Sequence, residues 1–556
     1  MRRLGRARRG ERAVTSAGRL GALPDTIEVL IAGGGPVGLA AAVELGNRGI
    51  DCIVIEPRDT VSTARPRCKT LNVRTMEHLR RWGLADRLRK RAPLPVSWSQ
   101  DVVFCTSLAG RELSRFTGVL GLAPDGDRFA ELGQQAPQYV LEEVLREAAG
   151  QLAPCRLELG TRVVTLDQTE DFVDVTVETA AGERKIIRAS YVIGSDGPRS
   201  VVRAQLGAAY RGGQALRPNF GMVFSCPELW DHVRHGPAVQ YWIVNRSAPA
   251  LVGPLDRHGT WWAIAFGVDR RTGERAARRL IDDVAGVPVE ATVLSTDPWT
   301  ARMQIVDRMR DRRVFLAGDA AHLNPPFGGH GLNTGLADAV DLGWKLAAVL
   351  AGWGGPALLD SYEAERRPVQ RRVIDEATAN MRVLSTDLLA DDLDDDDEAG
   401  AAARRAADAH IQETKKPEFH ALELVLGLRI TESPVVPPGD RADDGLVGAR
   451  LPHVFLDDGR SLYDVLGPGL TLLVLGDVTG GQAIEGAARA RGVPFDRVDL
   501  TGSDVAARYA ERVGAELILT RPDQVVVWSG RAGPADAPAL IDAVRGCGPG
   551  SAARRS

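Results

Sequence analysis

The sequence predicts an α/β protein: a Rossmann-like dinucleotide-binding domain, a β-rich domain inserted into it, and a smaller C-terminal β/α domain. Three observations carry that prediction. A glycine turn, Gly33-x-Gly35-x-x-Gly38, joins an apolar strand to a helix. Residues 206–300 read as strands. After an acidic and Pro-rich stretch, a strand–helix rhythm resumes at Thr471. The chain has 556 residues, enough for roughly three or four domains. With 44% hydrophobic and 26% charged residues, its composition is that of a soluble globular protein rather than a disordered one. Lys+Arg 69 against Asp+Glu 73 gives a net charge of −4, so no basic field points to nucleic acid. No apolar run has membrane-spanning length. The six cysteines contain no C-x-x-C pair, so neither a metal site nor a disulfide framework is expected; they read as reduced thiols of a cytoplasmic protein.

Taken in order, residues 1–26 read as a disordered basic tail, with seven Arg in the first 20 residues. Ile27–Ile31 is the first strand, Leu39–Asn47 a helix ended by Gly49, and Cys52–Ile55 a second strand closing on Glu56. Helices are expected at Asn72–Trp82 and Tyr139–Ala149, and alternating strands from Arg162 to Ile193 with a hairpin at Gly182. The dinucleotide domain is therefore expected over 27–205, with part of the inserted domain near 95–135. The β-rich domain spans 206–300, with Val239–Val244 and Thr260–Val268 its clearest strands. The first domain resumes over 301–380, where the strand Val314–Leu316 feeds a Gly/Pro loop and the helix Gly335–Leu350. Asp391–Glu398 has seven acids in eight residues, and like-charge repulsion favours a solvated linker over 381–447. The last domain, 448–548, has strands at Leu472–Leu475, Phe495–Val498 and Val525–Trp528.

The glycine motif has a chemical reason. Gly33 makes the tight turn, Gly35 lets a pyrophosphate approach the backbone, and Gly38 lets helix and strand pack closely. Pro36 and Val37 open a helix whose free N–H groups face the phosphates. Glu56, 18 residues after Gly38, can accept from ribose hydroxyls and would repel a 2′-phosphate, so the pocket suits the adenosine half of FAD or NAD. Gly318-Asp319 follows a strand and can hold a polyol such as a ribityl chain. The loop Pro325–Gly335 opens a helix and offers N–H groups to a delocalised anion such as the N1–C2=O edge of a reduced flavin. Tyr191–Arg203, containing Asp196-Gly197-Pro198-Arg199, reads by itself only as a strand ending in a turn.

Together, in this order, the three segments resemble the fingerprints of the single-component flavoprotein aromatic hydroxylases, the p-hydroxybenzoate hydroxylase class, over residues 27 to about 380. Leu422–Leu475 and Arg521-Pro522-Asp523-x-Val525-x-x-Trp528 resemble the longer branch with a thioredoxin-like C-terminal domain, which includes 3-hydroxyphenylpropionate, chlorophenol and polyketide hydroxylases. Leu428 and Ser529 depart from that branch, which often has Tyr and Arg there. Without a C-x-x-C, the last domain is expected to serve packing or assembly.

The resemblance implies FAD held by the first and third motifs, with Arg67 and Gln138 touching it. Asp196, Gly197 and Arg199 would serve both FAD and the reducing NAD(P)H, and the family leans to NADPH. Gly318, Asp319, Gly329, Gly331, Leu332 and Asn333 would complete the flavin site, the last three residues through backbone N–H groups. Pro326 would present a carbonyl to oxygen and substrate, and His330 would lie beside the isoalloxazine, as an imidazolium steadying an anion or as a solvent-facing loop residue. O₂ would add to reduced flavin to give a C4a-hydroperoxide that hydroxylates a small aromatic ring, phenolic or polyketide-type, in a dry pocket. Tyr241 either orients a phenol or is a core tyrosine, and His322 reads as a structural hydrogen-bonder. Of Phe224, Trp242, Trp261 and Trp262, strand alternation lets only half face the cleft. A cytoplasmic monomer or homodimer is expected. Baeyer–Villiger or epoxidising chemistry on the same scaffold, or a non-catalytic flavin-binding protein, are the alternatives; the W-x-W-x-I-P of flavin halogenases is absent.

Overall fold

The computed structural model describes residues 20–64, 69–382, 388–437, 445–476 and 479–548. The chain opens with β1 (Thr26–Ala32), α1 (Pro36–Gly46), β2 (Cys52–Glu56) and α2 (Val73–Arg81). It leaves this domain for β3 (Val102–Cys105) and β4 (Glu112–Phe116). It returns with α3 (Gln138–Gln151), β5 (Cys155–Leu159), β6 (Thr161–Gln168), β7 (Val173–Thr179) and β8 (Arg184–Gly194). Next come β9 (Tyr210–Ser225), β10 (Gln240–Ile243), β11 (Ala250–Pro254), β12 (Thr260–Phe266), α4 (Arg270–Ala285) and the long β13 (Thr292–Val306). The strand β14 (Val314–Leu316) precedes three helices, α5 (His330–Leu350), α6 (Pro356–Met381) and α7 (Glu398–Phe419). The C-terminal unit is β15 (Leu470–Val474), α8 (Thr479–Ala490), β16 (Phe495–Asp499), α9 (Asp504–Val513), β17 (Leu517–Thr520), β18 (Val526–Gly530) and α10 (Ala537–Val544).

The first sheet runs β14–β8–β1–β2–β5 with all neighbours parallel. Parallel strands in such a sheet are covered on both faces, which is why β2 is buried at every position. The antiparallel β6–β7 hairpin continues along the outer edge of β8. The second sheet runs β13–β9–β12–β11–β10–β3–β4 and is antiparallel except for β3 with β10. One face packs Phe220, Phe224, Tyr241 and Trp261 against α4. The other face, carrying Trp242 and Trp262, looks toward α7 and the loop before α5. The third sheet runs β16–β15–β17–β18, with β15 and β16 parallel across α8 and the rest antiparallel, a thioredoxin-like arrangement.

Two expectations are corrected. Order begins before Ile27, because Leu20 and Leu23 are buried against the first core; residues 1–19 lie outside the described ones. The stretch expected to be a solvated linker carries the 22-residue helix α7. The acids ahead of it stay exposed, as expected of a solvated run, and some of them meet the second sheet. Asp391 pairs with Arg246 and Asp396 with Arg111, while Asp394 accepts from the Thr106 hydroxyl at 2.5 Å. Asp397 caps α7 by accepting from Gly400 N at 2.8 Å. The departure from expectation is the docked helix that follows the acidic run, not the run itself.

The C-terminal unit is anchored to the first domain by buried charge. Arg521, 1% exposed, bonds Glu365 on α6 at 2.8 Å, Asp341 on α5 at 3.3 Å and its neighbour Asp523 at 2.5 Å. Lys345 bonds the same Asp341 and Glu365 at 2.9 and 2.7 Å. Burial alone would raise the pKa of Glu365, but Arg521 and Lys345 hold it well below the carboxylate range. Removing one member of such a cluster strands the others. Arg521→Met is expected to lower the unfolding free energy by about 3–5 kcal/mol, read as an earlier urea transition.

Candidate functional site

The glycine turn at the end of β1 is built by sterics. Gly33 has φ +103, and a Cβ there would lie 2.5 Å from the Ser195 carbonyl oxygen. A Cβ on Gly38 would lie 2.0 Å from the Gly33 oxygen. On Gly35 a Cβ would meet nothing within 4 Å. Gly35 is thus free of intramolecular demands and faces the space a pyrophosphate would take. Helix α1 starts with Pro36, has no side-chain cap and has no acid in its first turn, so its leading N–H groups stay available. Val37 bridges the first and third motifs: Cβ atoms on Gly318 or Gly335 would come within 2.8 or 2.7 Å of its Cγ2.

Glu56, at the end of β2, is 4% exposed. Its Oε2 accepts from Gly34 N at 2.7 Å, and its Oε1 accepts from Arg58 N and Nε at 3.0 and 2.7 Å. A carboxylate has about four lone-pair sites, so capacity remains for a ribose hydroxyl. Arg58 also reaches Glu142 on α3 at 3.1 Å. Gln138 is the first residue of that helix rather than a residue before it. Arg67 lies outside the described residues.

Asp196 accepts from Val201 N at 2.7 Å and Val202 N at 3.2 Å through Oδ2, capping a short helix. Burial raises its pKa, and Oδ1 is buried without a partner. Gly197 takes φ +81, and Arg199 is exposed on the rim of the cleft. Asp319 is an exposed carboxylate in a 3₁₀ turn after β14, and Gly318 before it takes φ +59. That turn is held from beneath by Asp338, which accepts from Gly318 N at 3.1 Å, His322 Nε2 at 2.7 Å, Arg366 Nε at 2.8 Å and Gln370 Nε2 at 3.0 Å. His322 is accordingly a buried hydrogen-bonder behind the Gly318–Ala320 turn.

The loop before α5 bends through Gly328 at φ +79 and Gly329 at φ +68. The Pro326 carbonyl accepts from Gly329 N at 3.1 Å. Asn333 clasps the loop: Nδ2 donates to Gly329 O at 2.7 Å and Thr70 O at 2.9 Å, and Oδ1 accepts from Asn72 N at 3.0 Å and the Thr75 hydroxyl at 2.7 Å. Helix α5 has no side-chain cap, so the N–H groups of its first turn, at Gly331 and Leu332, open into the cleft.

Two candidate roles are corrected. Tyr241 is fully buried on the α4 side of the sheet, and its hydroxyl is spent donating to Gly236 O at 2.6 Å and accepting from Ala238 N at 3.0 Å. Strand alternation turns it away from the cleft and turns Gln240 toward it. His330 is neither an imidazolium nor solvent-facing. It is 4% exposed, burial lowers its pKa to about 4, and its Nε2 has no partner, tucked against Gly328. At neutral pH it is uncharged.

These parts frame a cleft of about 690 Å³. Its walls are the Pro325–Leu332 loop, the sheet face with Val223, Leu251, Trp262 and Ile264, and Phe419 at the end of α7. Arg199, Asp319, Pro326, Gly329, Gly331 and Leu332 all reach it. A larger groove, about 970 Å³ beside Arg310 and α6, carries charges of both signs and touches none of the three motifs. Sequence reading missed Asp338, whose signal is an acid on an otherwise apolar helix face. It also missed Lys69, a buried cleft residue.

The open face at Gly35, the uncapped N-termini of α1 and α5 and the exposed Asp319 fit a flavin dinucleotide. Residues 26–377 match the FAD binding domain family, and residues 444–547 match the aromatic-ring hydroxylase C-terminal family. The chain belongs to the FAD-dependent aromatic-ring hydroxylases. It is 33% identical to tetracenomycin B2 monooxygenase-dioxygenase of Streptomyces olivaceus, over 93% of this chain and 98% of that protein. It is 31% identical to 2,4-dichlorophenol 6-monooxygenase of Delftia acidovorans, over 90% of this chain and 94% of that one. Among solved structures it resembles the rebeccamycin biosynthetic enzyme RebC with reduced flavin, with TM-score 0.86 and 32% identity over 94% of this chain and 100% of that one. It also resembles aklavinone-11 hydroxylase with FAD and aklavinone, with TM-score 0.80 and 28% identity over 94% and 100%. FAD is the cofactor of this hydroxylase fold.

Two outcomes test the site. Gly35→Val has room to fold but places its side chain where the pyrophosphate would lie, so the purified variant should keep its thermal transition and lose bound FAD. Burial would raise the pKa of Asp338, but His322 and Arg366 hold it down to about 2. A depressed carboxylate stabilises the fold above its unfolded pKa, near 4, and that contribution fades as pH falls toward 2. The stability advantage of wild type over Asp338→Asn, from urea unfolding, should therefore shrink by about 1 kcal/mol between pH ~6 and ~3.

Proposed function

We propose that this monooxygenase uses NAD(P)H and O₂ to hydroxylate a small aromatic substrate, phenolic or polyketide-type, in the 690 Å³ cleft. The observation that carries the reading is the meeting, in one largely apolar cavity, of the uncapped α5 N-terminus, Pro326 and the bare Gly328-Gly329 backbone. The flavin ring would take part of that space, since Asp319, Gly331 and Leu332 line it, and the remainder would hold the aromatic substrate. The named activities of the relatives, on chlorophenol and on tetracenomycin intermediates, support the same substrate range.

When bound, FAD would supply two-electron exchange with a nicotinamide and the activation of O₂. The chain supplies the rest. Gly33, Gly35, Pro36, Val37 and Gly38 would cradle the pyrophosphate, Glu56 would hold the ribose, and Asp319 the polyol chain. The N–H groups of Gly331, Leu332 and Asn333 would stabilise negative charge where it develops, a preorganised role that costs no reorganisation. The apolar wall of Val223, Leu251, Ile264 and Phe419 would limit water on that side of the reacting centre. Arg199, exposed on the rim, would pair with the pyrophosphate of the nicotinamide, with NADPH the favoured donor. The enzyme would work in the cytoplasm as a monomer or homodimer. No described helix is long and apolar enough to cross a membrane.

The deciding assay measures product formed per NAD(P)H consumed across phenols, naphthols and polycyclic quinols; NAD(P)H oxidation that no aromatic accelerates would count against the proposal. Arg199→Ala should slow anaerobic reduction by NAD(P)H while leaving FAD content unchanged. An unchanged reduction rate would remove Arg199 from the nicotinamide site.

A further inference from the structure

The cleft contains a buried cation that nothing described above uses. Lys69 is 7% exposed, its ammonium lies in the cleft wall, and it has no carboxylate partner among the described residues. Nζ donates to the Val239 carbonyl and, at 3.5 Å, to the Pro254 carbonyl, and it sits 5.0 Å from the centre of the Trp262 ring. An ammonium has three protons, so one is left over. Beside it, Trp262 Nε1 is also buried and has no acceptor. β11 and β12 explain how the two donors meet. Gly253 pairs with Trp262 across the strands, and a Cβ on Gly253 would lie 2.9 Å from Trp262 Nε1 and 3.0 Å from Lys69 Nζ. The missing side chain at Gly253 is what lets both donors crowd one spot on the sheet face.

Unspent buried donors are rare because each forfeits its hydration without recompense. Here they stand in the wall of a cavity whose neighbouring surface, Leu251, Ile264 and Phe419, is apolar. The wall also adjoins the glycine loop, since a Cβ on Gly329 would lie 3.1 Å from Thr70 Cβ, the residue after Lys69.

We infer that Lys69 and the indole N–H of Trp262 form a subsite for an anionic oxygen on the aromatic substrate, a phenolate or a ring carboxylate. The inference rests on the cleft being the aromatic-substrate site. It makes Lys69 a specificity-determining residue, favouring rings that carry an acidic oxygen over neutral rings of equal size. Burial lowers the pKa of Lys69 to about 7, so at about pH 6 it is mainly the ammonium, with one N–H unspent. A phenol that arrives protonated gives its proton to water; the O–H bond breaks, hydronium forms, and the phenolate pairs with the ammonium already present at Nζ. Arg199, Arg270, Arg302, Asp297, Asp319 and Glu418 also line the cleft, and Glu418 is already bonded to Lys415 at 2.9 Å.

The test is ligand binding to the FAD-loaded protein, followed by difference absorption at about pH 6, with 4-nitrophenol, 4-nitrobenzoate and neutral nitrobenzene as probes. Wild type is expected to bind 4-nitrophenol as the yellow phenolate although the free compound is largely protonated. Lys69→Met, with FAD content unchanged, should bind it about 10–150-fold more weakly and as the neutral phenol, while nitrobenzene binding stays within about twofold. Trp262→Phe, which keeps the ring and deletes the N–H, should weaken nitrophenol binding by about 2–10-fold. Lys69→Arg should restore part of the affinity. A Lys69-dependent gain for 4-nitrobenzoate alone would assign the subsite to a carboxylate. Phenolate binding that survives Lys69→Met, or equal binding of charged and neutral rings by wild type, would overturn the inference while leaving the aromatic site intact. Failure of all three rings to bind wild type would overturn the aromatic-substrate reading itself, and the subsite with it.

Discussion

Helix α5 carries polar side chains on faces that are buried, and each ties the helix to a different part of the molecule. Asn333, in its first turn, clasps the segment Thr70–Thr75 and the glycine loop. One turn later, Asp338 gathers the turn at Gly318, His322 and two side chains of α6. Asp341 and Lys345 close on Arg521 and Glu365 and so bring in the C-terminal unit. A buried ion must be matched by partners or the fold forfeits several kcal/mol. Those partners come from five separated stretches of chain, and matching them fixes where the uncapped N-terminus of α5 points. The cleft-facing end of the helix is therefore set by charges that never touch the cleft.

That arrangement changes how the C-terminal unit is regarded. It keeps the thioredoxin-like strand order without cysteines in its strands. What it contributes is Arg521, together with contacts to α2: Arg74 on that helix bonds the Asp523 carbonyl at 2.6 Å, and Arg450 pairs with Glu77 at 2.5 Å. A scaffold elsewhere associated with dithiol exchange here acts as a counter-ion holder.

Much of the fold was legible because its signals are local. The strand–Gly33–helix unit, the Gly182 hairpin and the strand before Asp319 each depend on a few adjacent residues. The backbone cradle was legible for the same reason, since glycines at fixed spacing report directly on close approach. Three features were not. The acids Asp391–Asp396 are solvated as they look, but nothing local signals that the helix after them docks on the second sheet. Tyr241 and Gln240 differ only in strand parity, and the sequence does not say which face packs on α4. His330 looks like an exposed loop histidine, yet the two left-handed glycines before it fold the loop over the ring and strip its charge. Each miss concerns what a distant segment covers.

The second sheet has its own consequence. Its strand β3 precedes β10, its parallel neighbour, by more than a hundred residues, and the wall that closes the cleft arrives later still: the Ser114 hydroxyl donates to Asp408 on α7 at 2.6 Å, across 294 positions. During synthesis the nucleotide-binding turn exists as soon as its first βαβ unit does, but the cavity beside it lacks its last wall, Phe419, until the ribosome has passed that residue. Non-local pairings of this kind are slow to close and leave an apolar surface bare meanwhile. For such a chain, production temperature and translation rate govern how much material reaches the native state, independently of how stable that state is once formed.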